Sequence, residues 1–414
     1  MLVFSVNANA TTQVIIGGND DATNADEYSP ITGAGSVNAY NWGTEAARQT
    51  LVPTAGTLSN LRVVTTTTPG AGNNKAFTLR VDGSSTALTC ALGASGTSCQ
   101  DSVNTVAVTA GQDIALFGDD TGNATAMDAH WTMVFTPTTA DYTILTGSTS
   151  GGNLGTSGTE YETIQAQDVT ETAEPSNNIL ISTAGTLRDL YVELATAPGV
   201  GTSRTFNLAA GVDCTIDDPA TTCNSGADTV SVTAGTVYNF TSTVSGTPAA
   251  STARWGAVFV PNTSGYFMIA QTSSNSILTS AGTEYMPPTG GAGVWTSTET
   301  DADNLGQTMT IKNMYVSLSG SVGTVDDQAV FALSQDTVAT ALTCTITAGN
   351  SSCNITTDIA IDNDDLLSIE NVTSSTPAAV NVRTTMTAQV ATAVVPTNVL
   401  KIQGPLKIQG QLKI

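Results

Sequence analysis

Six cysteines are the residues whose spacing most constrains the chemistry of this chain. They form three pairs, Cys90 with Cys99, Cys214 with Cys223 and Cys344 with Cys353, each enclosing eight residues, and no other cysteine occurs. Such pairs are disulfides, free thiols or metal ligands. Zinc knuckles place about two to four residues between cysteines and recruit a second pair or histidines nearby. Neither condition is met, since the one histidine is His130. Three local disulfides, each closing a hairpin, are therefore expected. Closing a loop of about ten residues would stabilise each by roughly 2–3 kcal/mol through restriction of the unfolded chain. Bonds of this kind persist on secreted proteins, cell surfaces and virions.

Catalytic chemistry is hard to build from what remains, and no catalytic residue, cofactor or metal site is expected. His130 stands beside Trp131, and the matching places in the later parts of the chain read as Arg254 and Val382. A Ser/His/Asp or Cys/His arrangement therefore does not recur, and His130 is expected at the surface or a strand edge. Carboxylates number 35, enough to make chance pairs, so a glycosidase pair is not assigned. The turns Asn19-Asp20-Asp21, Asp119-Asp120-Thr121-Gly122-Asn123 and Asp362-Asn363-Asp364-Asp365 are oxygen-rich. None has the EF-hand spacing, and side chains that cap their own backbone are the expectation. Trp131 and Trp255 fall at matched positions among apolar neighbours and belong to a core. Trp42 and Trp295 lie in loops rich in Gly and Thr, and they are the candidates for an exposed contact surface.

The elements that would carry these residues are strands. Charged residues make up only 11% of the 414 and aromatics 5%, while β-branched and turn-forming residues dominate. Helix should be minor. The formal net charge of −23 opposes binding to nucleic acid or anionic lipid, which rests on Lys and Arg. No apolar run approaches the length of a membrane-crossing helix. The opening MLVFSVNANA has a short apolar stretch but no basic region before it, and is expected to be part of the mature chain.

The cysteine spacing sits inside a longer repeat. A first strand (Val14-Ile15-Ile16, Ile144-Leu145, Met268-Ile269) leads to Glu-Tyr at Glu27-Tyr28, Glu160-Tyr161 and Glu284-Tyr285. Next comes a run in which apolar and polar residues alternate and then invert, then a Pro-Gly loop, Pro69-Gly70 and Pro198-Gly199, in the first two copies. A Phe-x-Leu strand precedes a cysteine hairpin, and strands holding Val-x-Val-Thr-Ala-Gly and Trp-x-x-x-Phe end the first two copies. Self-similarity at this period indicates tandem modules. The expected fold is all-β: three tandem β-sandwich modules of jelly-roll or Ig-like topology over 13–140, 141–264 and 265–397, after a lead-in at 1–12. Short proline-bounded junctions predict that the modules stack as a semi-rigid rod.

Residues 398–414 differ in kind. They repeat L-K-I-Q-G-x as a short β ribbon, with Leu400, Ile402, Leu406, Ile408, Leu412 and Ile414 on one side. A lone ribbon can neither bury that side nor pair its backbone. These six residues are the candidate assembly contacts, either with identical ribbons or by strand addition to another sheet.

Strand-PGxG-strand-C-x8-C-VxVTAG-strand-W with a hexad tail resembles the tandem β-sandwich proteins on tailed-phage virions. These include head fibre, capsid decoration and tail-associated fibre proteins, often trimeric. Ala220 through Val232 and the Pro198-Gly199 loop carry most of the resemblance, and the third module departs from it by lacking the Pro-Gly loop and the Trp. It implies a non-catalytic structural role at a virion surface or otherwise outside the cell. The expected partners are further copies (a homotrimer favoured), neighbouring structural subunits or a host-surface glycan. A bacterial or archaeal surface or filament subunit assembling by strand donation is the alternative, and a carbohydrate-binding module a further one.

Overall fold

The structure is a computed structural model describing residues 12–22, 26–32, 42–149, 151–167, 179–238, 240–273, 276–293, 295–299, 304–324 and 326–390. The ribbon at 398–414, with Leu400, Ile402, Leu406, Ile408, Leu412 and Ile414, lies outside the described residues.

Strands β1 (Gln13–Ala22), β2 (Glu27–Ser29), β3 (Thr50–Leu51), β4 (Gly56–Thr65), β5 (Asn74–Val81), β6 (Ser84–Leu92), β7 (Ser98–Val108), β8 (Asp113–Thr121) and β9 (Met127–Pro137) form the first module. Between β2 and β3 the single helical turn α1 (Glu45–Arg48) intervenes. One sheet runs β1-β9-β4-β7 and the other β2-β8-β5-β6, with β3 also paired to β8. Leaving out the short β3, first pairs with last, second with seventh, third with sixth and fourth with fifth. That nested pairing is a rolled-up long hairpin, the jelly roll. Of the two topologies open from sequence, the Ig-like one is excluded.

The second module repeats the plan with β10 (Thr143–Ser148), β11 (Thr159–Glu162), β12 (Ala166–Gln167), β13 (Ile179–Leu180), β14 (Gly185–Leu194), β15 (Ser203–Leu208), β16 (Val212–Asp217), β17 (Thr222–Asn224), β18 (Thr229–Val232), β19 (Val237–Tyr238), β20 (Phe240–Ser245) and β21 (Ala253–Pro261). Its sheets run β12-β10-β21-β14-β17, with β18 also on β14, and β11-β20-β15-β16. The third has β22 (Tyr266–Ser273), β23 (Gly282–Met286), β24 (Gly290–Gly293), β25 (Asn304–Leu305), β26 (Met309–Leu318), β27 (Gln328–Gln335), β28 (Val338–Thr347), β29 (Ser352–Ile355), β30 (Ile359–Ile361), β31 (Leu366–Ser374) and β32 (Val382–Val390). Its sheets run β24-β22-β32-β26-β29, with β30 on β26, and β23-β31-β27-β28, with β25 on β31.

The inverted alternation has a local cause. In β4 and β14 burial alternates, breaks at Asn60 and Asp189, and resumes on the other parity. Those two residues have φ of +54° and +49°, and the pairing register shifts beside them. Each is a β-bulge at a residue type that tolerates the left-handed region.

The cysteines are bonded in the expected pairs, but they do not close hairpins. Cys90 is on β6 and Cys99 on β7, which belong to opposite sheets of the first module. In the second module Cys214 is on β16 of one sheet and Cys223 on β17 of the other. In the third, Cys344 is on β28 of one sheet and Cys353 on β29 of the other. The Cα–Cα distances across the three disulfides are 5.5, 5.7 and 6.0 Å. The two ends of each bond differ in burial. Cys90, Cys214 and Cys344 are buried, whereas Cys99, Cys223 and Cys353 are half-buried and pack against the rim of their module's core. Cys223 and Cys353 sit there because β17 and β29 are the last strands of their sheets, with one flank open. Each disulfide thus ties the two sheets together at one edge of the sandwich.

Trp42 and Trp295 are not surface contacts. Backbone hydrogen bonds between Tyr28 and Gly43, and between Tyr285 and Thr296, fold each loop back over its sheet. Both indoles are 7% exposed, and their rings lie 6.0 Å from Phe77 and 6.3 Å from Phe331. Hydrophobic burial of a large ring outweighed the polar character of the flanking loop. In the second module Phe240, 5.0 Å from Trp255, fills comparable space.

The rod is also corrected. Val14 and Ile16 belong to the core of the third module, Ile144 to that of the first, and Met268 to that of the second. The first strand of each module stays paired in its own sheet but sends its outward side chains into a neighbour's core, and the third module returns to the first. Contacts that run head to tail form a closed ring when the rotation between units allows it.

Candidate functional site, the three intermodule seams

Each seam is built from the sheet that contains a module's first and last strands. Along β9 the side chains of Met127, Ala129, Trp131, Met133 and Phe135 enter the module's own core. The alternate positions His130 and Thr132 face the other way, yet both are buried, with 6% and 0% exposed. The matching outward positions are Arg254 and Gly256 on β21 and, by the pairing register, Arg383 and Thr385 on β32. Arg383, not Val382, thus corresponds to His130. Its strand is a sheet face covered by another module, so His130 is neither a surface nor an edge residue. Burial pushes its pKa down to about 4, against a weaker opposing pull from Asp128.

What covers each face is the edge of the preceding module. In the first seam β3 packs on β10, β14 and β21. A Cβ on Gly256 would lie 2.2 Å from the Leu51 carbonyl oxygen, so only glycine admits this approach. Gln13 and Ile144 exchange two hydrogen bonds, and Thr32 Oγ1 donates to Thr146 O at 3.2 Å. Arg254 joins the modules electrostatically. Its Nε lies 2.5 Å from Asp113 Oδ1 of the first module, its Nη1 donates to Gln49 Oε1 at 3.2 Å, and its Nη2 to Glu193 Oε1 at 2.6 Å. Burial raises the Asp113 pKa to about 7, with Arg254 opposing and Glu193 and Asp82 adding to the rise.

The second seam repeats this with different side chains. There β13 packs on β22, β26 and β32. Asn313 Nδ2 donates to Ser182 O at 3.1 Å, and Thr387 Oγ1 to Ser182 Oγ at 2.9 Å. In the closing seam β25 packs on β1 and β9, and Thr289 Oγ1 donates to Ile16 O at 3.2 Å, as Thr32 does to Thr146. Arg62 forms an ion pair with Asp364 across it. The two interdomain junctions also meet: Asp141 Oδ1 accepts from Ser264 Oγ at 2.8 Å and from Gly265 N at 3.1 Å.

The cysteines stand apart from one another, one disulfide to each sandwich, and they form no joint site. The remaining polar candidates serve the fold. Glu160 accepts from Gly155 N at 2.8 Å, and Glu284 accepts from Leu278 N at 2.9 Å and Asn371 Nδ2 at 2.6 Å, so these two Glu-Tyr glutamates hold their own loops. Asp120 accepts from Ala124 N at 2.9 Å and Asp365 from Asp362 N at 2.6 Å, which is backbone capping within the turns. Among the described residues no group of three or more His, Cys, Asp or Glu is placed to hold a metal ion, and no helix is long and apolar enough to cross a membrane.

Sequence reasoning missed the seams, although it held their signal. A half-buried strand alternates, whereas Val14-Ile15-Ile16 and Phe267-Met268-Ile269 are continuously apolar, as strands covered on both faces are.

No known protein family matches the chain, and no characterised protein matches it. Among solved structures, a chain of the Sulfolobus turreted icosahedral virus aligns over 83% of this chain and 84% of its own. The identity is 11% and the TM-score 0.17, too low to bear on what this chain does.

Proposed function

We propose that this chain is an extracellular structural protein: a three-module head displayed on a virion, with residues 398–414 as its assembly strand. It performs no catalysis. The closed head-to-tail ring of disulfide-tied jelly rolls is the observation that supports this reading. One sheet of each module, the one with its first and last strands, is covered at a seam, and each module is held by its neighbours and by a covalent tie between its sheets. Such a body suits a load-bearing or displayed part in an oxidising environment. Because three modules of one chain already close a ring, assembly into a fibre, a decoration layer or a homotrimer falls to the hexad ribbon, whose Leu/Ile side needs a partner.

Sedimentation of the full chain beside a chain ending at residue 397 tests this. The full chain is expected to associate and the shortened one to remain monomeric. A shortened chain that assembles like the full one removes the ribbon's role. Immunogold labelling of purified particles and of intact cells tests the display.

A further inference from the structure

The three seams set the same two positions opposite each other, and one seam leaves space between them. Between the second and third modules the positions are Gly235 and Tyr315, and a Cβ on the glycine would lie 3.3 Å from Tyr315 Cε1. Between the third and first they are Asp364 and Arg62, joined as an ion pair. Between the first and second they are Gly111 and Tyr191, and nothing stands within 4 Å of where a Gly111 Cβ would sit. The space forms a cavity of about 280 Å³, bounded by Leu51 and Gly111 on one side and Tyr191, Glu193, Thr222 and Asn224 on the other.

We propose that this cavity binds one ring of a neutral saccharide. Its volume lies just below the range that holds drug-sized ligands, which suits a single ring. Tyr191 supplies an aromatic body for the C–H face of a sugar and a hydroxyl tip. Thr222 and Asn224 offer donors and acceptors that match vicinal hydroxyls, and Glu193 offers carboxylate oxygens as acceptors. Arg254 holds Glu193 at 2.6 Å and offsets its charge, so a cationic ligand gains little there. No cation lines the cavity, and the chain carries −23, so an anionic ligand is repelled. The assignment rests on the extracellular reading above, because a glycan partner is met outside the cell.

Saturation-transfer NMR and calorimetry of the full chain with the methyl glycosides of glucose, galactose, mannose and N-acetylglucosamine test it. At least one is expected to bind with millimolar affinity. The closing seam supplies a filled variant, Tyr191→Arg with Gly111→Asp; Asp364 already holds φ of +81° at the place where Gly111 has +86°. Binding is expected to weaken at least about tenfold, or about 1.4 kcal/mol, in this variant and in Thr222→Ala with Asn224→Ala. The latter changes two exposed side chains and gives up one exposed turn hydrogen bond, from Gly226 N to Asn224 Oδ1 at 3.1 Å, so the sandwich core is untouched. Absence of binding by any of the four glycosides, or undiminished binding in the variant of Thr222 and Asn224, overturns the assignment. Sedimentation of the same samples reports on the structural role separately.

Discussion

The side-chain amide of Gln13 and the backbone of Ile144 exchange two hydrogen bonds, Nε2 donating to the carbonyl at 2.9 Å and Oε1 accepting from the amide at 2.7 Å. Gln13 is on the first strand of one module and Ile144 on the first strand of the next, and both are buried. Gln13→Ala would leave a buried N–H and a buried C=O unpaired, at a cost of about 1–3 kcal/mol for each. Ile144→Ala removes a side chain from the first module's core although it belongs to the second, at about 2–5 kcal/mol. Urea unfolding should remain a single transition in both variants, because the cores interlock. Separate transitions for the modules would contradict the ring.

Gly256→Ala should loosen the first seam while leaving each sandwich intact. The added methyl would meet the Leu51 carbonyl oxygen at 2.2 Å, and backbone cannot move aside as a side chain can. A loss of about 1–3 kcal/mol is expected. Faster amide exchange should appear at β3 and β21 and not at β27 or β28. Unchanged exchange at β3 would count against the contact.

Two seam groups titrate in opposite senses. The Asp113 pKa, raised by burial from 3.8 to about 7, means that the folded protein binds the extra proton between those values. Its contribution to stability is full below 3.8 and lost as pH rises through about 7. The His130 pKa is lowered by burial from 6.5 to about 4, so its contribution is present above 6.5 and lost as pH falls toward 4. Asp113→Asn should therefore leave a protein that only weakens on acidification from pH 6.5, and His130→Gln one that gains stability over the same window. Urea midpoints at a series of pH values measure this, and an unaltered slope in Asp113→Asn would refute the assignment.

Reducing one disulfide should cost its module about 2–3 kcal/mol through the unfolded chain. Cys90→Ala with Cys99→Ala is expected to lower the unfolding free energy by about that amount, read as a lower denaturation midpoint at an unchanged slope. Because the bond joins β6 to β7 across the sandwich, the variant should also raise amide exchange at the edges of both sheets. An effect confined to residues 91–98 would mean that the bond stabilises only its own loop.

The sequence by itself determined three modules, their strand content, the paired cysteines and the inversion of alternation that the structure resolves as bulges. All of these are local: an alternation of period two, a residue that tolerates positive φ, a fixed short spacing. What it left open was decided by contacts between residues far apart in the chain. Trp42 and Trp295 read as exposed because their neighbours are polar, but burial depends on what a loop folds over, here Phe77 and Phe331. Cys99, Cys223 and Cys353 read as the returning arms of hairpins because a short connection looks the same whether it stays in one sheet or crosses to the other. Their pairing partners settle it: Cys99 lies opposite Val63, Cys223 opposite Val192 and Cys353 opposite Val316, all on the sheet away from the first cysteine of each pair. His130 read as a surface residue because a covering module leaves no mark on the side chain it covers. The ring was the largest step. Val14 and Ile16 are inserted into a core whose own strands begin only at Tyr266, and only the tertiary structure, in which the third module meets the first, gives their outward faces something to bury against.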